Sequence, residues 1–155
     1  MSIHSEVDLL RKIPLFASID TAKLKLLAFT SERLTFASGA VLFREGERGD
    51  SAYLILSGRV EVNLNSPQGP VTVATIREHN IVGEMALLGD IPRTATIVAT
   101  EPVETLRIRK DQFFQLLRDL PQMTLEIMRE LAARLNNANR ELSAAHAKLR
   151  DAGLG

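Results

Sequence analysis

Apolar residues recur along this chain with two different periods. Over residues 5 to 33 they fall at helical spacing: Val7, Leu10 and Ile13, then Leu24, Leu27 and Ala28 after a Ser18-Ile19-Asp20 capping region. Between the two pieces lies IPLFASI, whose Pro14 ends the first helix and whose Leu15 and Phe16 can plug a core. From residue 34 to about 109 the period is two. LTFASGAVLFREGERGDSAYLILSGRVEVNLNSPQGPVTVATI alternates short β-branched or aromatic runs with glycine, and Gly39, Gly46, Gly49, Gly58 and Gly69 fall near the expected turns. ILSGRVEV reads as a tight hairpin and NSPQGPV as a looser one. Many short strands, with no helix long enough to cross between parallel strands, predict an antiparallel sandwich or barrel.

After residue 110 the helical period returns. Asp111 fits an N-cap before QFFQLLRDL, and Pro121 suits the first turn of a second, longer helix. In that helix Met128, Leu135, Leu142 and Leu149 fall seven apart, with Leu131, Ala138 and Ala145 in a second seam. Heptads sustained this long predict a partner helix, most simply the same helix of a second copy. The alternative is an amphipathic helix lying on its own domain. Met123, Ile127 and Met128 are placed to touch the domain in that way, whereas beyond Leu135 pairing with a second copy is the preferred reading. The division expected is one domain overall, with a strand-rich body over 1–120 and a C-terminal helix over 121–155.

Composition narrows the function. The chain has 155 residues, 45% apolar and 25% charged, with nineteen basic residues against nineteen acidic ones. Length and content suit one globular domain, and no overall field draws it to nucleic acid or an anionic membrane. Cysteine is absent, which excludes disulfides, thiolate metal sites and cysteine nucleophiles. The start, MSIHSEVDLL, lacks the apolar core of a signal peptide. No run approaches 18 uninterrupted apolar residues, as a membrane span needs. A cytoplasmic protein is expected.

The candidate chemistry lies in VGEMALLGDIPRTATIVAT, residues 82 to 100. GEMALLG reads as a short helical turn between two glycines, and Gly83 leaves its first amides uncovered, as suits one phosphate. Pro92 fixes the backbone before Arg93, whose planar fork can grip two oxygens of that phosphate. Thr94 adds a hydroxyl, and Glu84 offers an acceptor for a sugar hydroxyl. The set fits one phosphate beside a ribose; no P-loop lysine or magnesium carboxylates suggest a triphosphate. A structural alternative is an ion pair between Glu84 and Arg93 across the turn, which would contribute little net stability.

Beyond this local reading, residues from about 7 to 140 resemble the cyclic nucleotide-binding domain family, which includes the effector domain of the bacterial catabolite activator and the regulatory subunits of cyclic-AMP-dependent protein kinase. The resemblance runs through LLRKIPLF, GAVLFREGERGDSAYLILSGRVEV and, most specifically, VGEMALLGDIPRTATIVA, which is similar to the family's phosphate-binding cassette. It implies a mainly β fold: an antiparallel eight-stranded jelly-roll barrel with N-terminal helices and a long C-terminal helix. It implies that Glu84 accepts the ribose 2′-hydroxyl and that Arg93 pairs with the cyclic phosphate. Gly83, the amides near Met85, Ala86 and Ala95, and Thr94 complete the phosphate's shell. The ligand is cyclic AMP or cyclic GMP, which Thr94 does not distinguish, and neither a metal nor another cofactor is implied. The C-terminal helix moves on binding and offers a lid over the base from Arg134, Asn137, Ala138 and Asn139.

Two positions depart from the family pattern. His79-Asn80 stands where Gly-Asp is usual before the cassette, though both residues tolerate the left-handed region, so His79 is expected to be a turn residue. Ala138 and Asn139 replace the hydroxyl residues the catabolite activator sets against adenine. Rival functions find less support. His4, His79 and His146 are too dispersed for a metal enzyme, and no Ser-His-Asp or paired-carboxylate site is evident, so no enzyme is expected. Too little chain follows the last helix to encode a helix-turn-helix, so DNA binding by this chain alone is not expected. A ligand-free dimeric scaffold or partner-binding module, and a cyclic di-GMP sensor, remain as alternatives.

Overall fold

β-branched and aromatic runs broken by glycine divide residues 32–109 into eight short strands. In the computed structural model, which describes residues 3–17 and 19–153, these are β1 (Glu32–Phe36), β2 (Val41–Phe43), β3 (Ser51–Ser57), β4 (Arg59–Leu64), β5 (Val71–Arg77), β6 (Ile81–Val82), β7 (Thr96–Ala99) and β8 (Val103–Arg109). They form two four-stranded antiparallel sheets, ordered β1-β8-β3-β6 and β2-β7-β4-β5. This is the expected jelly roll, with one correction: the sheets do not close into a barrel. Each keeps two edge strands, and β6 and β2, with two and three residues, are too short to carry a closing ladder. The sheets meet face to face instead.

One expected hairpin is not one. β3 and β4 lie in different sheets, so ILSGRVEV is a crossing between layers. Gly58, the single residue between them, has φ +92, and a Cβ there would lie 2.4 Å from the Pro102 carbonyl oxygen. One left-handed residue against a neighbouring backbone turns the chain out of its sheet; a two-residue hairpin turn would have kept it in. NSPQGPV does form its hairpin. β4 and β5 pair from Leu64 and Val71 outward, and Ser66 and Gly69 exchange backbone hydrogen bonds of 3.1 and 3.0 Å.

Burial of β3 on both faces explains its continuous apolar run. Tyr53 and Ile55 meet Phe43, Val60, Val82 and Ile97 between the sheets, while Ala52, Leu54 and Leu56 face the helices. Those helices are α1 (Ile3–Arg11), a 3-10 turn (Pro14–Phe16), α2 (Thr21–Thr30), the short α3 (Glu84–Leu88), α4 (Lys110–Asp119) and α5 (Pro121–Asp151). Val7, Leu10, Ile13, Leu24, Leu27 and Ala28 are buried as their spacing predicts, and Phe16 plugs the core beside them. The side chain of Leu15, and Ser18, lie outside the described residues. Asp20 precedes α2, and its carbonyl accepts from Lys23 and Leu24.

At α4 the expected cap shifts by two residues. Arg109 precedes the helix, because the Lys110 amide is taken by the Asp50 carbonyl and β8 runs straight into the first turn. Asp111 sits inside that turn, where its charge faces the positive end of the helix. Pro121 opens α5 as expected. Met123 and Ile127 are buried, but Met128 is 61% exposed, because it stands about 100° round the helix from Ile127. Leu135, Leu142 and Leu149 are exposed as well. No helix of the described residues is long and apolar enough to cross a membrane.

Candidate functional site

The site begins where β6 ends. Gly83 adopts φ +87, a left-handed bend that starts α3 immediately after a buried strand. Glu84 opens the helix and is buried with Ala86 and Leu87. Asp90, at φ +50, and Pro92 then lead the chain back toward the loop after β2. There the Arg93 amide donates to the Glu47 carbonyl at 2.8 Å, and the Arg93 carbonyl accepts from the Gly46 amide at 2.9 Å. The backbone of Arg93 is thus held on both sides, and its side chain turns inward, only 4% exposed.

Arg93 is fixed by backbone and by an aromatic face. Nη1 donates to the Gly83 carbonyl at 2.9 Å and Nη2 to the Ser51 carbonyl at 2.7 Å. The guanidinium carbon lies 3.9 Å from the centre of the Phe43 ring, close enough for a cation–π contact. Two glycines allow this packing. A Cβ on Gly83 would lie 2.6 Å from Nη1, and one on Gly49 would lie 2.6 Å from the Ala86 Cβ and 3.3 Å from the Arg93 Cζ. Nε is buried without a hydrogen-bond partner. Burial draws the guanidinium's pKa down, yet arginine keeps its charge in proteins. A buried cation with an unused donor is the arrangement an anion would complete.

Glu84 does not pair with Arg93, which overturns the structural alternative. Its Oε1 accepts instead from Arg134 Nη1 of α5 at 2.8 Å, and Arg134 Nη2 reaches Glu130 Oε1 at 2.7 Å. Burial raises the Glu84 pKa above the usual carboxylate value, while its own backbone amide and then Arg134 act in the opposite direction. Arg134, in turn, is held above its ordinary value by Glu84 and Glu130, against the effect of burial.

All seven expected cassette residues, Gly83, Glu84, Met85, Ala86, Arg93, Thr94 and Ala95, line one cavity of about 120 Å³. Phe43, Val62, Ile76 and Ile97 give it an apolar wall, and Arg134 closes one side. Of the four lid positions only Arg134 reaches it; Asn137, Ala138 and Asn139 are exposed on the following turn of α5. Phe43, Gly49, Ser51 and Glu130 contribute without having been expected. Ser51 acts through its carbonyl, which no side chain advertises.

Two broader hollows, of about 640 and 630 Å³, lie beside Arg107 and Phe114 and between α2 and α4. In the first, Arg107 pairs with Asp50, Arg109 with Asp111 and Lys110 with Asp90, and Arg118 bonds Gln115. The smaller cavity is therefore the better candidate despite its volume. His79 lies in the turn before β6 at φ +70, as expected, and His146 is exposed on α5. Among the described residues no three His, Asp or Glu side chains gather as a metal site would require.

Known proteins share this architecture. A family model described as the cyclic nucleotide-binding domain matches residues 33–119. The CRP-like cAMP-activated global transcriptional regulator of Mycobacterium tuberculosis is 26% identical over 137 residues, 88% of this chain and 61% of the regulator. Isozyme 1 of the cGMP-dependent protein kinase of Drosophila melanogaster is 34% identical over 125 residues, 78% of this chain and 16% of the kinase. The crystal structure of the Thermus thermophilus catabolite activator protein superposes with a TM-score of 0.78 at 29% identity, covering 92% of this chain and 73% of that one. The chain spans about three fifths or less of these two curated relatives.

Proposed function

This chain belongs to the cyclic nucleotide-binding domain family, and on that premise we propose that it is a sensor module that binds a cyclic nucleotide and answers by moving α5. The carrying observation is Arg93: a buried cation on Phe43 with an unpartnered Nε, in the same cavity as a buried carboxylate. One cyclic phosphate supplies one negative charge and oxygen acceptors for that guanidinium. The amides of Met85, Ala86 and Ala95 and the Thr94 hydroxyl add neutral donors around it. Glu84, on the far side of α3's first turn, accepts the ribose 2′-hydroxyl. Cyclic AMP is the favoured ligand, with cyclic GMP as the alternative.

Binding is converted to motion because α5 carries one wall of the cavity through Arg134. The exposed stripe of Leu135, Leu142 and Leu149 suits pairing with α5 of a second copy. The module has no catalytic role of its own, works in the cytoplasm and passes its signal to a partner protein. Calorimetric titration with cyclic AMP, cyclic GMP and cyclic di-GMP tests the reading. Micromolar or tighter binding of a mononucleotide, weakened at least about tenfold in Arg93→Lys because a point charge replaces a planar fork, supports it. Silence toward all three ligands from folded protein overturns it and favours a scaffold. Binding of cyclic di-GMP alone would reassign the cavity to a larger ligand.

A further inference from the structure

The hollow between α2 and α4 takes no part in the cassette. It measures about 630 Å³, well inside the roughly 300–1,000 Å³ of small-molecule sites. We propose that it is a second ligand site, for a small amphiphilic acid: an apolar body carrying one carboxylate with an N–H beside it.

The apolar body follows from α2. Its sequence, TAKLKLLAFT, sets apolar residues round the whole helix, a pattern that belongs to a buried helix. Yet α2 buries only Leu24, Leu27 and Ala28, and leaves Leu26 63% and Phe29 75% exposed. Leu26 stands in the wall of the hollow, above buried Leu27 and Leu120 and half-buried Leu116. An apolar occupant covers what the fold leaves open.

The carboxylate follows from charge. Lys23, Arg109 and Arg118 line the hollow against Asp111 and Asp119, three cations to two carboxylates. Arg109 pairs with Asp111 at 3.5 Å. Asp119 accepts from Gln115 at 3.1 Å, and Arg118 donates to Gln115 at 3.0 Å. Among the described residues neither Lys23 nor Arg118 forms an ion pair. One positive charge is left over, and a single carboxylate neutralises it through a guanidinium fork or an ammonium.

The N–H follows from an orphaned acceptor. Gln112, also in the wall, is held by Nε2, which donates to the hydroxyls of Thr30 and, at 3.4 Å, Ser31. Its Oε1 is buried with no partner. Thr30 cannot supply the donor, because its hydroxyl proton goes to the Leu26 carbonyl at 2.8 Å. An unpaired buried acceptor is costly, and a donor from an occupant completes it. An N-acyl amino acid meets all three demands. It would also touch the joint where α5 begins, since the Leu120 carbonyl accepts from the amides of Met123 and Thr124.

The test titrates the protein by calorimetry with N-decanoylglycine, its methyl ester and N-decanoylsarcosine, which has N–methyl in place of N–H. The acid should bind with a sub-millimolar dissociation constant, the ester about tenfold more weakly and the sarcosine a few-fold more weakly. Amide exchange should slow over residues 23–30 and 112–120. Leu26→Glu, at an exposed position, should weaken the acid at least about tenfold. The double variant Lys23→Gln, Arg118→Gln should erase the difference between acid and ester. Arg93→Lys should leave the acid's binding unchanged, whatever it does to cyclic AMP. Folded wild type that binds none of the three overturns the proposal, as do equal affinities for acid and ester or unchanged binding in Leu26→Glu. Acid that is displaced by cyclic AMP and lost in Arg93→Lys lies in the cassette, which overturns the second site and leaves the first standing.

Discussion

Replacing Gly83 with alanine tests whether the bend that opens α3 is what clamps Arg93. Gly83 has φ +87, where an L side chain costs about 1–2 kcal/mol. The new Cβ would also lie 2.6 Å from Arg93 Nη1 and 3.1 Å from Phe43 Cε2. Arg93 has to move, and its 2.9 Å bond to the Gly83 carbonyl is lost; a hydrogen bond to a charged group is worth about 1.5–3 kcal/mol. Gly39→Ala is the control: φ is +88, yet nothing lies within 4 Å of its Cβ, so it should register the backbone cost alone. The expected losses are about 1–2 kcal/mol for Gly39→Ala and about 2.5–5 kcal/mol for Gly83→Ala. Urea unfolding followed by far-ultraviolet circular dichroism, with an unchanged slope, reads both. Against a typical domain stability of about 5–15 kcal/mol the larger loss stays measurable. Nucleotide affinity should fall in Gly83→Ala and be kept in Gly39→Ala. Equal destabilisation of the two variants would refute the clamp.

Other outcomes follow from burial and charge. Glu84 titrates above its unfolded value of about 4.3, so the folded state holds that proton more tightly and stability falls as pH rises through the raised range. Thermal unfolding of Glu84→Gln, compared with the wild type from acid to neutral pH, should lack this component; identical pH profiles would contradict it. Phe113→Ala, at a fully buried position, should cost about 3–5 kcal/mol, whereas Phe29→Ala, at a residue 75% exposed, should stay within about 0.5 kcal/mol. The reverse order in denaturant melts would overturn the assignment of the core. Leu142→Lys should sediment as a monomer where the wild type sediments as a dimer, and a monomeric wild type would remove the role given to the α5 stripe.

The cassette was legible because its chemistry lies in side chains and in glycines at set spacing. Gly83, Glu84 and Arg93 read as a site from VGEMALLGDIPRTATIVAT alone, and the cavity gathers them. What holds Arg93 was not legible: the carbonyls of Gly83 and Ser51 are backbone groups that any residue carries, and Phe43 reads as one more strand aromatic. Gly58 misled for a related reason. A glycine between two apolar runs marks a reversal of direction, but whether the chain stays in its sheet depends on Pro102 and Val103, more than forty residues away. The stripe on α5 was plain in its heptads, since exposure does not erase a period. Arg134 was named as facing the cavity, but its attachment to Glu84 was hidden, because an ion pair across fifty residues leaves no local pattern.

The jump between layers at Gly58 also bears on how quickly the chain reaches this state. Among the described pairings only β4 with β5 is closed by a short loop; β1 with β8 joins Phe36 to Val103 and Glu32 to Arg107, and β3 with β8 joins Ser51 to Arg109. Each distant pairing has to meet the entropy of closing a long loop before it gains any contacts. Such topologies fold in milliseconds to seconds, orders of magnitude slower than helical bundles of similar stability. The hairpin around residues 65–70 is accordingly the pairing that closes at least entropic cost, whereas β7 and β8 must each find two strands distant in sequence.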